Sequence, residues 1–169
     1  MKKTNIILLI IVFISSIIFS QGALPKKGDI FVGAKIGFGA FYGADNGFGG
    51  GFEYVMQENF LNLGDKPASL GFGGSFGYAS YKSKYYTYNW KYTNVVILAS
   101  AFYHADVLHN EKLDTYIKFS LGYNAGKAKY DGPSGEDYRS PTYGGVITGS
   151  AIGARYFFSP ALAVVAELG

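Results

Sequence analysis

Apolar residues alternate with small or polar residues along most of the chain that follows residue 21. A period of two is typical of β-strands with two different faces, and this part of the chain shows no sustained helical spacing. The alternation predicts six strands over 30–41, 47–56, 70–81, 94–104, 115–126 and 146–158, and a seventh that begins at Leu162 and reaches Gly169. We therefore predict an all-β, antiparallel up-and-down sheet.

The predicted strands are long, and their two faces differ in kind. A tilted strand that crosses a bilayer needs about 9–11 residues, whereas strands of soluble proteins are nearer 5–6. One face carries large apolar side chains and the other carries Gly, Ser, Ala and a few charges, which is the reverse of a soluble barrel. Aromatic residues lie near the ends of the apolar face, as in the girdles of membrane barrels. We therefore predict a transmembrane β-barrel whose girdle includes Tyr54, Tyr78, Tyr103, Tyr123, Tyr156 and Phe158.

The need for closure sets an expectation about the strand number. An open sheet edge in lipid leaves backbone N–H and C=O groups unpaired, so a spanning sheet has to close. Bacterial single-chain barrels have an even number of strands, whereas the alternation predicts six full strands and part of a seventh. We expect eight strands when complete, with the closing C-terminal strand missing from a barrel domain over 21–169. The alternative is that six strands, or a different pairing, close the sheet.

The N-terminus has the layout of a secretory signal peptide over 1–20. Lys2 and Lys3 precede an apolar run over 6–19, and Ser20 is a small residue at a suitable cleavage position. An uncleaved anchor is the alternative, although a spanning helix needs about 20 apolar residues. Removal of the signal takes two of the 15 basic residues and none of the 12 acidic ones, which leaves 13 against 12 and a net charge of +1. This balance gives no indication of nucleic-acid binding.

Composition excludes several classes of protein. The 169 residues include no Cys, which excludes a disulfide scaffold, Cys-ligated zinc and a lipid-modified N-terminal Cys. Aromatic residues make up 18% and hydrophobic residues 49% of the chain, too much for a disordered protein. The 24 glycines fit a narrow barrel interior, where they let strands curve and admit large neighbouring side chains.

Catalytic and ligand-binding patterns are weak. His104 and His109 are five residues apart, but no third ligand completes a metal site, so isolated histidines are the simpler interpretation. His104 is predicted to point inward, and no serine can be placed beside it. The sequence shows no nucleophile elbow and no basic stripe. We expect no catalytic residue, no metal and no cofactor, and hence no enzyme.

Charged residues fall on the predicted inner face of five different strands: Lys35, Glu53, Lys118, Arg155 and Glu167. The interior of an eight-stranded barrel is just wide enough for side chains to fill it. Buried charges have to pair and hydrogen-bond. The hypothesis is a lumen charge network that leaves no ion-conducting pore of appreciable size.

The predicted loops include one segment with a possible binding role. Entry from the periplasm would place outer loops at 43–46, 82–92 and 130–143, and periplasmic turns at 57–68, 105–113 and 159–161. Aromatic side chains offer large contact areas with a polar tip, which suits an extracellular partner. The alternative, which we favour, is that the aromatics pack on one another or anchor at the level of lipopolysaccharide. The candidate contact residues are Tyr85, Tyr86, Tyr88, Trp90 and Tyr92.

Two segments carry a family resemblance. LDTYIKFSLGYN at 113–124 resembles the "LDPYxGxGxGY" strand of OmpX/OmpA-like, porin-family outer-membrane β-barrel proteins. GARYFFSPALAVVAELG at 153–169 is similar to the family's "GARYFFSPxLxxxxELGYG" hairpin, and the sequence around Ser20 resembles cleavage sites of the Bacteroidota. The resemblance implies a barrel in the cell outer membrane, with lipid, lipopolysaccharide and the barrel-assembly machinery as partners and no nucleic acid. It carries over no catalytic residue.

These observations favour an outer-membrane barrel with a structural or cell-surface interaction role and a lumen filled by side chains. One alternative is a small porin or transport barrel with about ten or more strands when complete. Another is a secreted soluble β-barrel that binds a ligand. A third, an outer-membrane enzyme, lacks a recognisable site.

Overall fold

The structure, a computed structural model, describes residues 13–14, 16–18, 24–41, 44–85, 88–130 and 141–169, with side chains in 24–36, 47–82, 90–130 and 141–169. These residues form strands, turns and bends and no helix. It follows that no helix in the described part of the chain has the length and apolar character to cross a membrane. The strands are β1 (Phe13–Ile14), β2 (Ser16–Ile18), β3 (Ile30–Phe41), β4 (Ala44–Glu58), β5 (Ala68–Tyr85), β6 (Tyr88–Ala105), β7 (Leu113–Tyr130), β8 (Thr142–Ser159) and β9 (Leu162–Leu168).

Strands β3 to β9 form one curled half-barrel sheet in which each strand pairs antiparallel with the next. The predicted all-β, up-and-down fold is confirmed, and the architecture is that of an incomplete β-barrel. All seven predicted strands are present. The first has the predicted bounds 30–41, and the next five extend beyond theirs.

The two short strands lie against the edges of this sheet. β1 pairs antiparallel with β9, and β2 pairs antiparallel with β3. The backbones of 13–14 and 16–18 are therefore paired with the last and the first long strand, respectively. Both stretches belong to the predicted signal peptide, and the rest of 1–20 lies outside the described residues.

The prediction of a loop over 82–92 is wrong for most of that segment. β5 continues to Tyr85 and β6 begins at Tyr88, and their register is unbroken from Ala68↔Ala105 to Tyr85↔Tyr88. Alternation fails as a guide here because every residue over 82–92 is polar or aromatic, so the sequence of this segment has no apolar–polar pattern. The turns at the opposite end agree better with prediction, since β4 and β5 are separated by 59–67, β6 and β7 by 106–112, and β8 and β9 by 160–161.

The two faces of the sheet are sorted as the alternation predicts. Large apolar residues point outward and are exposed, and Ile97 and Phe119 have relative exposures of 65% and 61%. The inner face instead buries charged and polar residues, among them Glu53, His104 and Asp114. Among the described side chains, the inner face also carries two small apolar clusters, one of Phe31, Val55, Phe157 and Ala163 and one of Phe102, Tyr116 and Val165.

Candidate functional site: the lumen network

Four side chains from four strands form a buried cluster that we call the lower cluster: Glu53 of β4, His104 of β6, Asp114 of β7 and Arg155 of β8. Asp114 and Arg155 are directly opposite each other in the β7–β8 register. Each of the four has a relative exposure of 4% or less. Period-two alternation brings all four to the inner face, and the curl of the sheet brings them together.

Glu53 and Asp114 each contact both His104 and Arg155. Glu53 Oε2 lies 2.7 Å from Arg155 Nη2, and Glu53 Oε1 lies 2.6 Å from His104 Nε2. On the other side of the imidazole, Nδ1 lies 2.9 Å from Asp114 Oδ1, and Arg155 Nη1 is 3.5 Å from Asp114 Oδ2. Two carboxylates therefore alternate with two basic side chains in a closed ring of contacts.

A second group, the upper cluster, is centred on Glu167 of β9. The carboxylate accepts a hydrogen bond from Tyr116 Oη at 2.7 Å and forms a close ion pair with Lys118. Lys35 Nζ of β3 lies 3.8 Å from the same Glu167 Oε2. The upper cluster therefore joins the first and last long strands of the sheet.

Aromatic rings pack between the two clusters. The guanidinium of Arg155 lies 3.9 Å from the centroid of the Phe31 ring, a favourable cation–π geometry. The Tyr116 ring contacts His104 at a centroid distance of 5.4 Å and Phe102 at 5.7 Å. Tyr116 thus packs against the lower cluster with its ring and binds the upper cluster with its hydroxyl.

Two inner-face glycines make room for these groups. A Cβ on Gly71 would lie 2.6 Å from Glu53 Oε1, and a Cβ on Gly153 would lie 2.2 Å from Cζ of Tyr116. Neither contact is compatible with the present positions of the side chains. At these positions the glycines act as predicted, by admitting a large neighbour.

A third polar group lies nearer the opposite end of the lumen. Asn94 Oδ1 accepts hydrogen bonds from Tyr143 Oη at 2.9 Å and from Asn124 Nδ2 at 3.4 Å. Ser100 and Ser120 form a hydroxyl pair at 2.8 Å between this group and the clusters below. Polar contacts therefore continue along the inner face of β6 and β7.

Each charged side chain of the two clusters lies against an opposite charge. Lys35, Lys118 and Arg155 are opposed by Glu53, Asp114 and Glu167, with His104 between two carboxylates. The cavity beside these residues has a volume of only about 50 Å³. The arrangement ties strands together and fills space, which is what a side-chain plug requires.

The geometry around His104 does not suit a metal ion. Its two ring nitrogens face different carboxylates on opposite sides of the imidazole, so the oxygens do not converge on one point. Within the described ranges, no group of three or more His, Asp or Glu side chains is arranged to hold a metal.

The structure places all five predicted lumen residues on the inner face and in ion pairs. It separates them into two clusters, with Arg155 and Glu53 in one and Lys35, Lys118 and Glu167 in the other. Sequence reasoning missed Asp114 and Tyr116. Both lie an even number of residues from Lys118, and this spacing alone would have placed them on the same face.

The interpretation of His104 as an isolated histidine is wrong. The side chain is fully buried between Glu53 and Asp114. Its two partners lie on other strands, 51 and 10 residues away in the sequence, so local spacing does not reveal them. His109, by contrast, is largely exposed in a turn, 3.4 Å from Asp106.

The proposed contact residues at the other end of the sheet lie mainly in strands. Tyr92 stacks on Tyr81 at a centroid distance of 4.9 Å, and Trp90 meets Tyr130 edge-on at 5.5 Å. Contacts of this kind are expected under the alternative that we favour, in which the aromatic residues pack on one another. The backbones of Tyr85 and Tyr88 pair with each other, and Tyr86 lies outside the described residues. Their role in binding a partner stays a prediction.

Comparisons of the chain with protein-family profiles, with curated proteins and with solved structures find no match.

Proposed function

We propose that this chain is a non-enzymatic outer-membrane β-barrel protein with a structural or cell-surface interaction role and a lumen filled by side chains. The observation that carries the proposal is the inverted sorting of its faces. Large apolar residues such as Ile97 and Phe119 are exposed around the outside, while Glu53, Asp114 and Arg155 are buried inside. So many large apolar side chains exposed on the outer face are unfavourable in water and favourable in hydrocarbon.

The family resemblance supports the same proposal. The 113–124 segment forms most of β7, and the 153–169 segment covers the end of β8 and the whole of β9. The outer-membrane location, removal of the signal near Ser20, and assembly by the barrel-assembly machinery among lipid and lipopolysaccharide belong to this proposal. An extracellular partner at the Tyr- and Trp-rich hairpin is part of it as well.

Fractionation and gel mobility test the proposal directly. We expect the expressed chain to enter the outer-membrane fraction, to require detergent for extraction, and to migrate differently on a gel before and after heating, because a membrane-inserted sheet whose backbone hydrogen bonds are satisfied resists unfolding by detergent. A soluble protein recovered from the periplasm or medium without detergent would contradict the proposal and favour a secreted ligand-binding barrel.

A further inference from the structure

Both ring nitrogens of His104 face acidic side chains. Nε2 lies 2.6 Å from Glu53 Oε1, and Nδ1 lies 2.9 Å and 3.0 Å from the two carboxylate oxygens of Asp114. An ionised carboxylate only accepts hydrogen bonds, whereas a neutral imidazole carries a single N–H and donates on one side only. A neutral His104 between two ionised carboxylates would therefore place a ring lone pair against an oxygen lone pair. The two contacts together require one additional proton.

Burial makes this requirement strict. The relative exposures of Glu53, His104 and Asp114 are 2%, 0% and 2%, and a hydrogen bond left unmade in a buried site costs the desolvation of the polar group. With a neutral imidazole, the two carboxylates and the single guanidinium of Arg155 would leave one net negative charge in the lower cluster. One added proton makes the four side chains neutral, which a buried cluster favours.

The distances place the added proton on the imidazole rather than on a carboxyl group. A protonated carboxyl group would approach the ring through its one O–H, but the two Asp114 oxygens lie almost equally far from Nδ1. This is the geometry of a ring N–H shared by both oxygens of a carboxylate. Arg155 Nη2 lies 2.7 Å from Glu53 Oε2, and Nη1 lies 3.5 Å from Asp114 Oδ2. A guanidinium that is always charged stabilises the ionised form of both acids.

The groups packed around the ring also suit a cation. The centroid of the His104 ring lies 5.4 Å from that of Tyr116, and the Phe102 ring is nearly parallel to it at 6.2 Å. Aromatic faces attract a cation at about this range. The Tyr116 hydroxyl is bound to Glu167, and β5 contributes the uncharged Ser69, directly opposite His104. The ring environment and the hydrogen bonds therefore favour the same charge state.

We propose that Glu53, His104 and Asp114 form a proton-binding site in which His104 is held as an imidazolium at neutral pH. The bound proton lets both ring nitrogens donate at once, so that one imidazole joins β4, β6 and β7. The proton is then a structural component of the side-chain plug. The site does not depend on the proposed membrane location, because all of its contacts lie within the sheet.

The test observes the ring nitrogens directly, since the chain contains only two histidines. The full chain, labelled with isotopic nitrogen in histidine and solubilised in detergent micelles, is measured by NMR at neutral pH. The variant His109→Gln identifies the signals of His104 by removing those of the other ring. We expect two ring N–H groups for His104, each coupled to its own hydrogen. One N–H and one unprotonated ring nitrogen would overturn the proposal.

The variant Asp114→Asn tests whether the second carboxylate holds the proton. A side-chain amide has nearly the same size and can donate to Nδ1, so the variant keeps a hydrogen bond there without an added proton. We expect one ring N–H to disappear and the N–H on Nε2, toward Glu53, to remain. The matched variant Asp106→Asn removes the carboxylate that lies 3.4 Å from His109 and should leave both N–H groups of His104. If Asp114→Asn also keeps both, Asp114 does not hold the proton and the site is wrong.

Infrared spectra of the same samples locate a proton that is not on the ring. A protonated carboxyl band that Glu53→Gln or Asp114→Asn abolishes, together with a single ring N–H, would assign the proton to that acid and reject the imidazolium. Heat-modifiable migration on a gel checks that each variant folds, and the unchanged chain carries the decisive measurement. Extraction without detergent would contradict the membrane location and leave the proton site untouched.

Discussion

Tyr116 occupies space that only a glycine at position 153 leaves open. Its ring crosses the backbone of β8, and its hydroxyl reaches Glu167 on β9. We expect Gly153→Ala to lower the free energy of unfolding by about 2 kcal/mol, because the added methyl group forces the ring to move and weakens that hydrogen bond. Urea unfolding of the detergent-embedded chain, followed by Trp90 fluorescence, measures the loss.

Gly149 provides the matched control. It lies on the same strand and face as Gly153, and a Cβ there would meet no heavy atom within 4 Å. Gly149→Ala should therefore change the free energy of unfolding by no more than about 0.5 kcal/mol. Equal losses in the two variants would show that glycine itself, rather than the space for Tyr116, matters on β8.

Individual inward residues could be predicted, but their partners could not. The alternation assigned Lys35, Glu53, Lys118, Arg155 and Glu167 to one face without any knowledge of the register. Asp114 was missed because the predicted strand began at Thr115, whereas β7 begins at Leu113. The contact of Glu53 with His104 depends on the curl of a whole sheet, and local sequence carries no information about it.

At the scale of elements, prediction worked where a strand has two chemically distinct faces. β3 was predicted with its observed bounds because apolar and small residues alternate along its full length. β5 and β6 were each predicted too short, since the sequence over 82–92 contains only polar and aromatic residues. Backbone pairing continues through these strand ends, but the alternation of apolar and polar residues from which a strand is predicted does not.

The lower cluster ties strands that are not adjacent in the sheet. Glu53 of β4 contacts His104 of β6 and Arg155 of β8 through its two carboxylate oxygens. Removing one partner of a buried ion pair leaves an uncompensated charge, which costs about 3–5 kcal/mol. We expect Glu53→Gln to lower the free energy of unfolding by about 3 kcal/mol in the same urea experiment.

A charge-matched control separates the loss of these contacts from a general effect of removing a carboxylate. Glu111→Gln alters an exposed turn residue and should cost no more than about 0.5 kcal/mol. In the double variant Glu53→Gln/Arg155→Met, the loss should be smaller than the sum of the two single losses, since each single change already breaks the same pair. Strictly additive losses would contradict a direct interaction between Glu53 and Arg155.

At the scale of the whole molecule, the contacts run across the sheet interior. Phe31 of β3 lies 6.4 Å from Phe157 of β8, measured between ring centroids, and Lys35 of β3 reaches Glu167 of β9. Residues of the first long strand therefore meet residues of the last two. This interior can be packed tightly because each of its buried charges has an opposite partner.

Such an interior should not conduct. In planar bilayers we expect the reconstituted chain to give no large, stable current steps, since ion pairs and aromatic rings fill the space that water occupies in a porin. A sixteen-stranded porin reconstituted in the same lipid is the positive control for insertion and recording. Stable steps comparable with those of the control would contradict the plugged lumen and favour the small porin or transport barrel. An absence of current steps is informative only if the chain has inserted. The same vesicles are therefore also tested for heat-modifiable migration of the inserted chain.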